Sequence, residues 1–121
     1  MMRYESFLPL IFRHRLDSRI VRQHQNGHDV LVCLETVLKG LDKPGWEDWT
    51  GRIELVELCL SDMQKAQGHR SDHHQSTENL ERAILNLRAM LVALKQRDRV
   101  MARQMGRAAR SAISRYAADG E

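Results

Sequence analysis

Aromatic side chains make up only 5% of this 121-residue chain. So few of them leave little for base-stacking platforms of the kind that bind single-stranded nucleic acid. Proline occurs twice, at Pro9 and Pro44, so long stretches run without a helix breaker. The β-branched runs that mark strands are missing, which argues against a sheet. Cysteine also occurs twice, as Cys33 and Cys59, with no CxxC spacing. That excludes a secreted disulfide scaffold and points to reduced, buried, inert thiols at helical positions in a reducing compartment. No apolar run approaches the roughly 20 residues that span a bilayer. The apolar stretch 7–12 is interrupted by Pro9, is too short for a signal-peptide core, and has no small-residue cleavage site after it. A cytoplasmic location is the expectation.

What the chain has instead is Leu, Ala, Arg, Glu and Gln, straight-chain or small residues that lose little freedom in a helix. The class is all-α, and the length suits one domain over 1–121. The formal net charge is only +3, but it is unevenly placed. Residues 1–28 carry +3, residues 29–81 carry −6 and residues 82–121 carry +6. Basic ends flank an acidic middle.

Apolar periodicity divides the chain into helices. Phe12, Leu16, Ile20, Leu31, Leu34, Leu38 and Leu41 keep one helical phase. The phase survives Asn26-Gly27, a turn dipeptide in isolation, so one bent helix over 6–40 is favoured over two helices meeting near residue 27. Gly40 and Pro44 punctuate a short connection. Trp49, Ile53, Val56, Leu60 and Met63 then form one stripe in an acidic helix over 44–67, ended by Gly68. After a polar loop, Thr77 is a plausible cap for a last helix over 77–118. Along it Leu80, Ile84, Leu87, Leu91, Leu94, Asp98, Met101, Met105, Ala108 and Ala112 hold strict 4-3 spacing, with Asp98 as the one polar member.

Unbroken, that last helix is about 60 Å long at 1.5 Å per residue, far beyond a compact globule of this size. The expectation is therefore an elongated bundle of three or four helices whose heptad-patterned C-terminal helix outruns its core. A second copy of the chain would cover the overhang along the seam Met101, Met105, Ala108 and Ala112. The alternative is a break near 97–99.

Chemistry-bearing constellations are few. His24/His28 and His69/His73 are i,i+4 pairs, a spacing that places two imidazoles on one helical face and suits a transition metal. A bundle site of this kind resembles the hemerythrin-like proteins, whose pattern requires further His and carboxylate ligands that the last helix lacks. These four histidines are weak metal candidates, and no metal or other cofactor is expected. The stretch Arg19-Ile20-Val21-Arg22-Gln23-His24 is similar in its R-x4-H spacing to the small helical HEPN ribonucleases, which implies Arg and His acting on a phosphate and a 2′-hydroxyl. It departs from their pattern at Ile20, where a polar residue is usual. Residues 86–98 resemble a piece of the effector domain of FadR-type regulators, but Leu87 and Ala109 stand where two of that family's metal-binding histidines would be. No nucleophile motif and no glycine-rich phosphate loop is present, so no catalytic residue is assigned.

The arginines say more. Arg99, Arg103, Arg107 and Arg110 share one face of the last helix, opposite the Met101/Met105/Ala108 seam, and Arg15, Arg19 and Arg22 form a shorter stripe on the first. Such faces dock acidic protein surfaces or neutralise phosphates. The functional expectation is a non-enzymatic helical interaction module, a small regulator, adaptor or chaperone acting as a homodimer and meeting another protein through an acidic surface. The alternative is a nucleic-acid-binding regulator using the two arginine stripes, and the third is a histidine-based metal-binding or ribonuclease-like protein.

Overall fold

The structure, a computed structural model, describes residues 18–43, 48–68 and 74–119; its account of side chains begins at Gly27 in the first helix and at Glu78 in the third. Among the described residues four helices follow in order: α1 (Ser18–Leu41), α2 (Trp49–Gly68), α3 (His74–Lys95) and α4 (Arg99–Asp119). There is no strand among the described residues, and the fold is an all-α bundle. Consecutive helices pack on each other and α4 closes the ring against α1, while the diagonal pairs α1/α3 and α2/α4 keep their backbones apart. Short connections enforce antiparallel neighbours. The α1/α4 contacts confirm that sense: Asp42 meets Arg103, Glu35 meets Arg110, and Gly27 lies against Ala117.

α1 runs unbroken through Asn26-Gly27, as the preserved phase required. Residues 6–17 of the expected first helix lie outside the described residues. Gly27 is kept for a packing reason. A Cβ there would stand 2.6 Å from the Cβ of Ala117 and 3.2 Å from its Cα. Only a glycine lets the two backbones come so close, and in a buried contact that outweighs its lower helix propensity. α2 starts at Trp49 behind Asp48, whose Oδ1 accepts from the Gly51 amide at 3.0 Å, an N-cap bond. Residues 44–47, where the acidic helix was expected to begin, are outside the described residues. α3 starts at His74, ahead of the expected Thr77. First-turn amides have no intrahelical partner and can face water, so polarity there does not forbid helix.

The largest correction concerns the last helix. The expected 77–118 rod is a hairpin: α3 ends at Lys95, the chain turns through residues 96–98, and α4 folds back on α3. Two adjacent motifs make the turn. The Asp98 amide reaches back to the Ala93 carbonyl at 2.8 Å and the Arg97 amide to the Leu94 carbonyl at 3.0 Å, the Schellman pattern that closes a helix C-terminus. It needs a left-handed residue, and Arg97 supplies it with φ of 61°, at a cost of about 1–2 kcal/mol for a non-glycine. The Arg97 guanidinium lies over the Trp49 ring at 5.4 Å from its centroid, a cation–π contact that offsets part of that strain. Asp98 then opens α4: its Oδ1 accepts from the Met101 amide at 3.0 Å. The polar interruption in the apolar seam is thus an N-cap. Asp98→Ala should lower stability by about 1 kcal/mol, read from the urea midpoint; an unchanged midpoint would show that the cap bond contributes nothing.

The core follows from these contacts. Leu34, Val37 and Leu41 of α1, Val56 and Met63 of α2, Leu80, Leu87, Met90 and Leu94 of α3, and Ile113 of α4 are among its fully buried side chains. On α4 the turn shifts the inward face by one residue: Ala102, Gly106, Ala109, Ile113 and Tyr116 are buried, again at 4-3 spacing. The expected seam stands beside them. Met101 is exposed, Met105 and Ala108 are half-buried, and Ala112 is buried in its own chain's core. The overhang that called for a second copy does not exist.

Candidate partner interface

The four arginines of the last helix do share one flank of α4, and it is the flank turned to α1. Arg99 donates through Nε to the Leu41 carbonyl and through a terminal nitrogen to the Lys43 carbonyl. These are carbonyls at the end of α1, where a helix leaves its acceptors unpaired and favours a cation. Arg103 donates to Asp42 Oδ1 at 3.2 Å, and Arg110 lies 3.9 Å from Glu35. Arg107 stands exposed between them. The carboxylates that meet this ridge are therefore Glu35 of α1 and Asp42 in the turn just after it. Glu54 and Glu57, expected as partners from the acidic segment, sit exposed on α2, diagonally across the bundle. Glu47 lies outside the described residues.

Charge is divided by this topology. α4 holds five arginines and one acid, Asp119, whereas α2 holds Arg52 and Lys65 against Glu54, Glu57 and Asp62. One edge of the bundle is basic and the opposite edge mildly acidic. The pairs along the ridge are partly solvated, a setting in which each contributes only about 0–1 kcal/mol. They can exchange partners at small cost.

The first-helix arginines cannot be added to this surface. Arg15 lies outside the described residues; Arg19 and Arg22 lie on α1, in the part whose side chains are not described. The same holds for His24, while His28 is exposed and His69 and His73 fall outside the described residues. Among the described residues no group of three or more His, Cys, Asp or Glu side chains comes together to hold a metal ion. Exposed apolar residues are spread over all four helices, with Val32, Leu58, Leu85, Val92, Val100 and Met101 the largest. Among the described residues no helix is long and apolar enough to cross a membrane.

Two residues read from sequence as separate are brought together. Cys33 on α1 is half-buried and Cys59 on α2 is buried, and each donates to the other helix: Cys33 Sγ to the Leu55 carbonyl at 3.7 Å, Cys59 Sγ to the Val30 carbonyl at 3.9 Å. Interaction with the neighbouring Cys59 holds the Cys33 thiol below its ordinary range against the opposing effects of burial and Asp62, and the same interaction pushes Cys59, which burial also disfavours as thiolate, far up. The signal was present in the chain. Cys33 is eight residues before the end of α1 and Cys59 ten residues after the start of α2, so a tight antiparallel hairpin sets them near one level.

No protein-family model matches this chain, and searches of curated proteins and of solved structures find no similar protein.

Proposed function

We propose that this chain is a non-enzymatic helical interaction module whose arginine ridge on α4 docks an acidic surface of another protein. The observation that supports the reading is the ridge itself. Arg103, Arg107 and Arg110 line one edge of the bundle, and the intrachain partners of Arg103 and Arg110 are solvent-exposed carboxylates held by weak pairs. An incoming acidic surface replaces Asp42 and Glu35 with little loss.

A protein partner is favoured over nucleic acid because the ridge is mixed in sign. Glu35 and Asp42 border it directly, and a phosphate backbone laid along α4 would meet those carboxylates. A protein edge carrying both signs meshes with the row, and such complementarity governs on-rate and partner choice more than raw affinity. Among the described residues the aromatics are Trp49, half-buried, and Tyr116, buried, and neither offers an open ring for base stacking.

A photo-crosslinking residue in place of Gln104, exposed beside the ridge, should yield protein adducts in the cells that make the chain. Those adducts should fall at least tenfold when Arg103, Arg107 and Arg110 are all changed to Gln. Adducts to nucleic acid instead, with duplex binding that weakens steeply as salt rises, would favour the nucleic-acid regulator. Protein adducts that persist in the triple variant would remove the ridge from the interface.

A further inference from the structure

We propose that Cys33 and Cys59 form a peroxide-responsive dithiol that closes into an intrachain disulfide, stapling α1 to α2. The geometry is reciprocal. Each thiol sits against the turn of the other helix that precedes the other cysteine, at Leu55 and at Val30, which sets the two sulfurs beside each other between α1 and α2. They are the only cysteines in the chain, so no other intrachain pairing competes.

The two thiols are also unequal in the way such chemistry requires. Cys33 is the accessible member, and its neighbour Cys59 holds it below the ordinary thiol range. A partly exposed thiol with lowered pKa is the one a peroxide oxidises first. Its sulfur attacks one peroxide oxygen and the O–O bond breaks. Cys33 becomes a sulfenic acid, and the second oxygen leaves as water with the thiol proton. The Cys59 sulfur then attacks the sulfenic sulfur; the S–S bond forms, and hydroxide departs with the Cys59 proton as a second water. Two thiols are oxidised by two electrons, and one hydrogen peroxide is reduced to two waters. The thiols are therefore a modification site, in place of the inert pair expected from the sequence.

A disulfide here closes a loop of 25 intervening residues. Constraining the unfolded chain to that extent should raise the thermal midpoint by roughly 10 °C. The test uses reduced full-length protein and one equivalent of hydrogen peroxide, followed by intact mass, free-thiol titration and thermal melting. Both titratable thiols should disappear, the chain should lose two hydrogens without gaining oxygen, and the higher midpoint should return to its starting value on reduction. In Cys59→Ser, Cys33 should accumulate as a sulfenic acid trapped by a 1,3-diketone; in Cys33→Ser, buried Cys59 should stay a thiol. Wild-type protein alone decides the matter if either variant fails to fold. Persistence of both thiols, oxygen addition without loss of hydrogen, or a disulfide between two chains overturns the proposal.

Discussion

Truncating Met90 to alanine should destabilise the bundle by about 2–5 kcal/mol, the range for large-to-small changes at fully buried sites. Against a typical domain stability of about 5–15 kcal/mol that is a large fraction. The site explains the size of the effect. Met90 is fully buried on α3, and its Cε and Sδ lie 2.9 and 3.1 Å from where a Cβ on Gly106 would stand, with Leu38 Cδ2 at 2.7 Å. The thioether fills the hollow that the missing side chain of α4 leaves, a gap-filling role suited to methionine. Gly106→Ala alone pushes a methyl group into Met90 and Leu38, and gains up to about 1 kcal/mol of helix propensity in return. In the Met90→Ala background the same methyl enters the vacated space. The double variant should therefore be more stable than the sum of the single effects predicts, by at least about 0.5 kcal/mol in urea denaturation. Strict additivity would mean that the two sites do not share that space.

At the other end of α4, Gly27→Leu should cost about 1–3 kcal/mol or more, as overpacking does in a closed core. Gly27→Ala is the sharper experiment, because two effects oppose. Alanine favours the helix by about 1 kcal/mol, yet its Cβ would stand 2.6 Å from that of Ala117, a contact relieved only by moving backbone. The second effect wins, so Gly27→Ala lowers the denaturation midpoint. Adding Ala117→Gly removes the clash and should restore part of the loss, although a second glycine weakens α4 by itself. A midpoint that rises in Gly27→Ala would show that α1 and α4 are not pressed together there.

Much of this architecture is written in local patterns. Straight-chain composition gives the all-α class, the unbroken phase across Asn26-Gly27 gives a continuous α1, and Gly68 marks the end of α2. The hairpin at residues 96–98 is the instructive failure. No proline or glycine marks it, because Arg97 takes the left-handed position that glycine usually holds, and the 4-3 spacing carries straight through. Asp98 was the local sign, a lone carboxylate at the position of an N-cap. Residue size then misdirects the reading of α4. The bulky Met101 and Met105 look like the inward residues, but close approach to α1 and α3 selects Ala102, Gly106 and Ala109 instead. Hydrophobicity alone ranks those below methionine; helix spacing reverses the order. The arginine flank was legible from periodicity, whereas its partners on α1 were not, because pairing Arg103 with Asp42 requires the antiparallel return of α4. That same return was needed to see that no overhang is left over.

The one-residue phase shift at the turn means that two scripts are superimposed on the segment from Leu80 to Ala117. One is the hairpin, read with Ala102, Gly106 and Ala109 inward; the other is a straight rod, read with Met101, Met105 and Ala108 in line with Leu94. Three residues, Gln96, Arg97 and Asp98, choose between them. Arg97 holds its left-handed backbone with its guanidinium over Trp49 and the Asp98 cap directly after it. A single turn therefore decides which face of α4 the core covers.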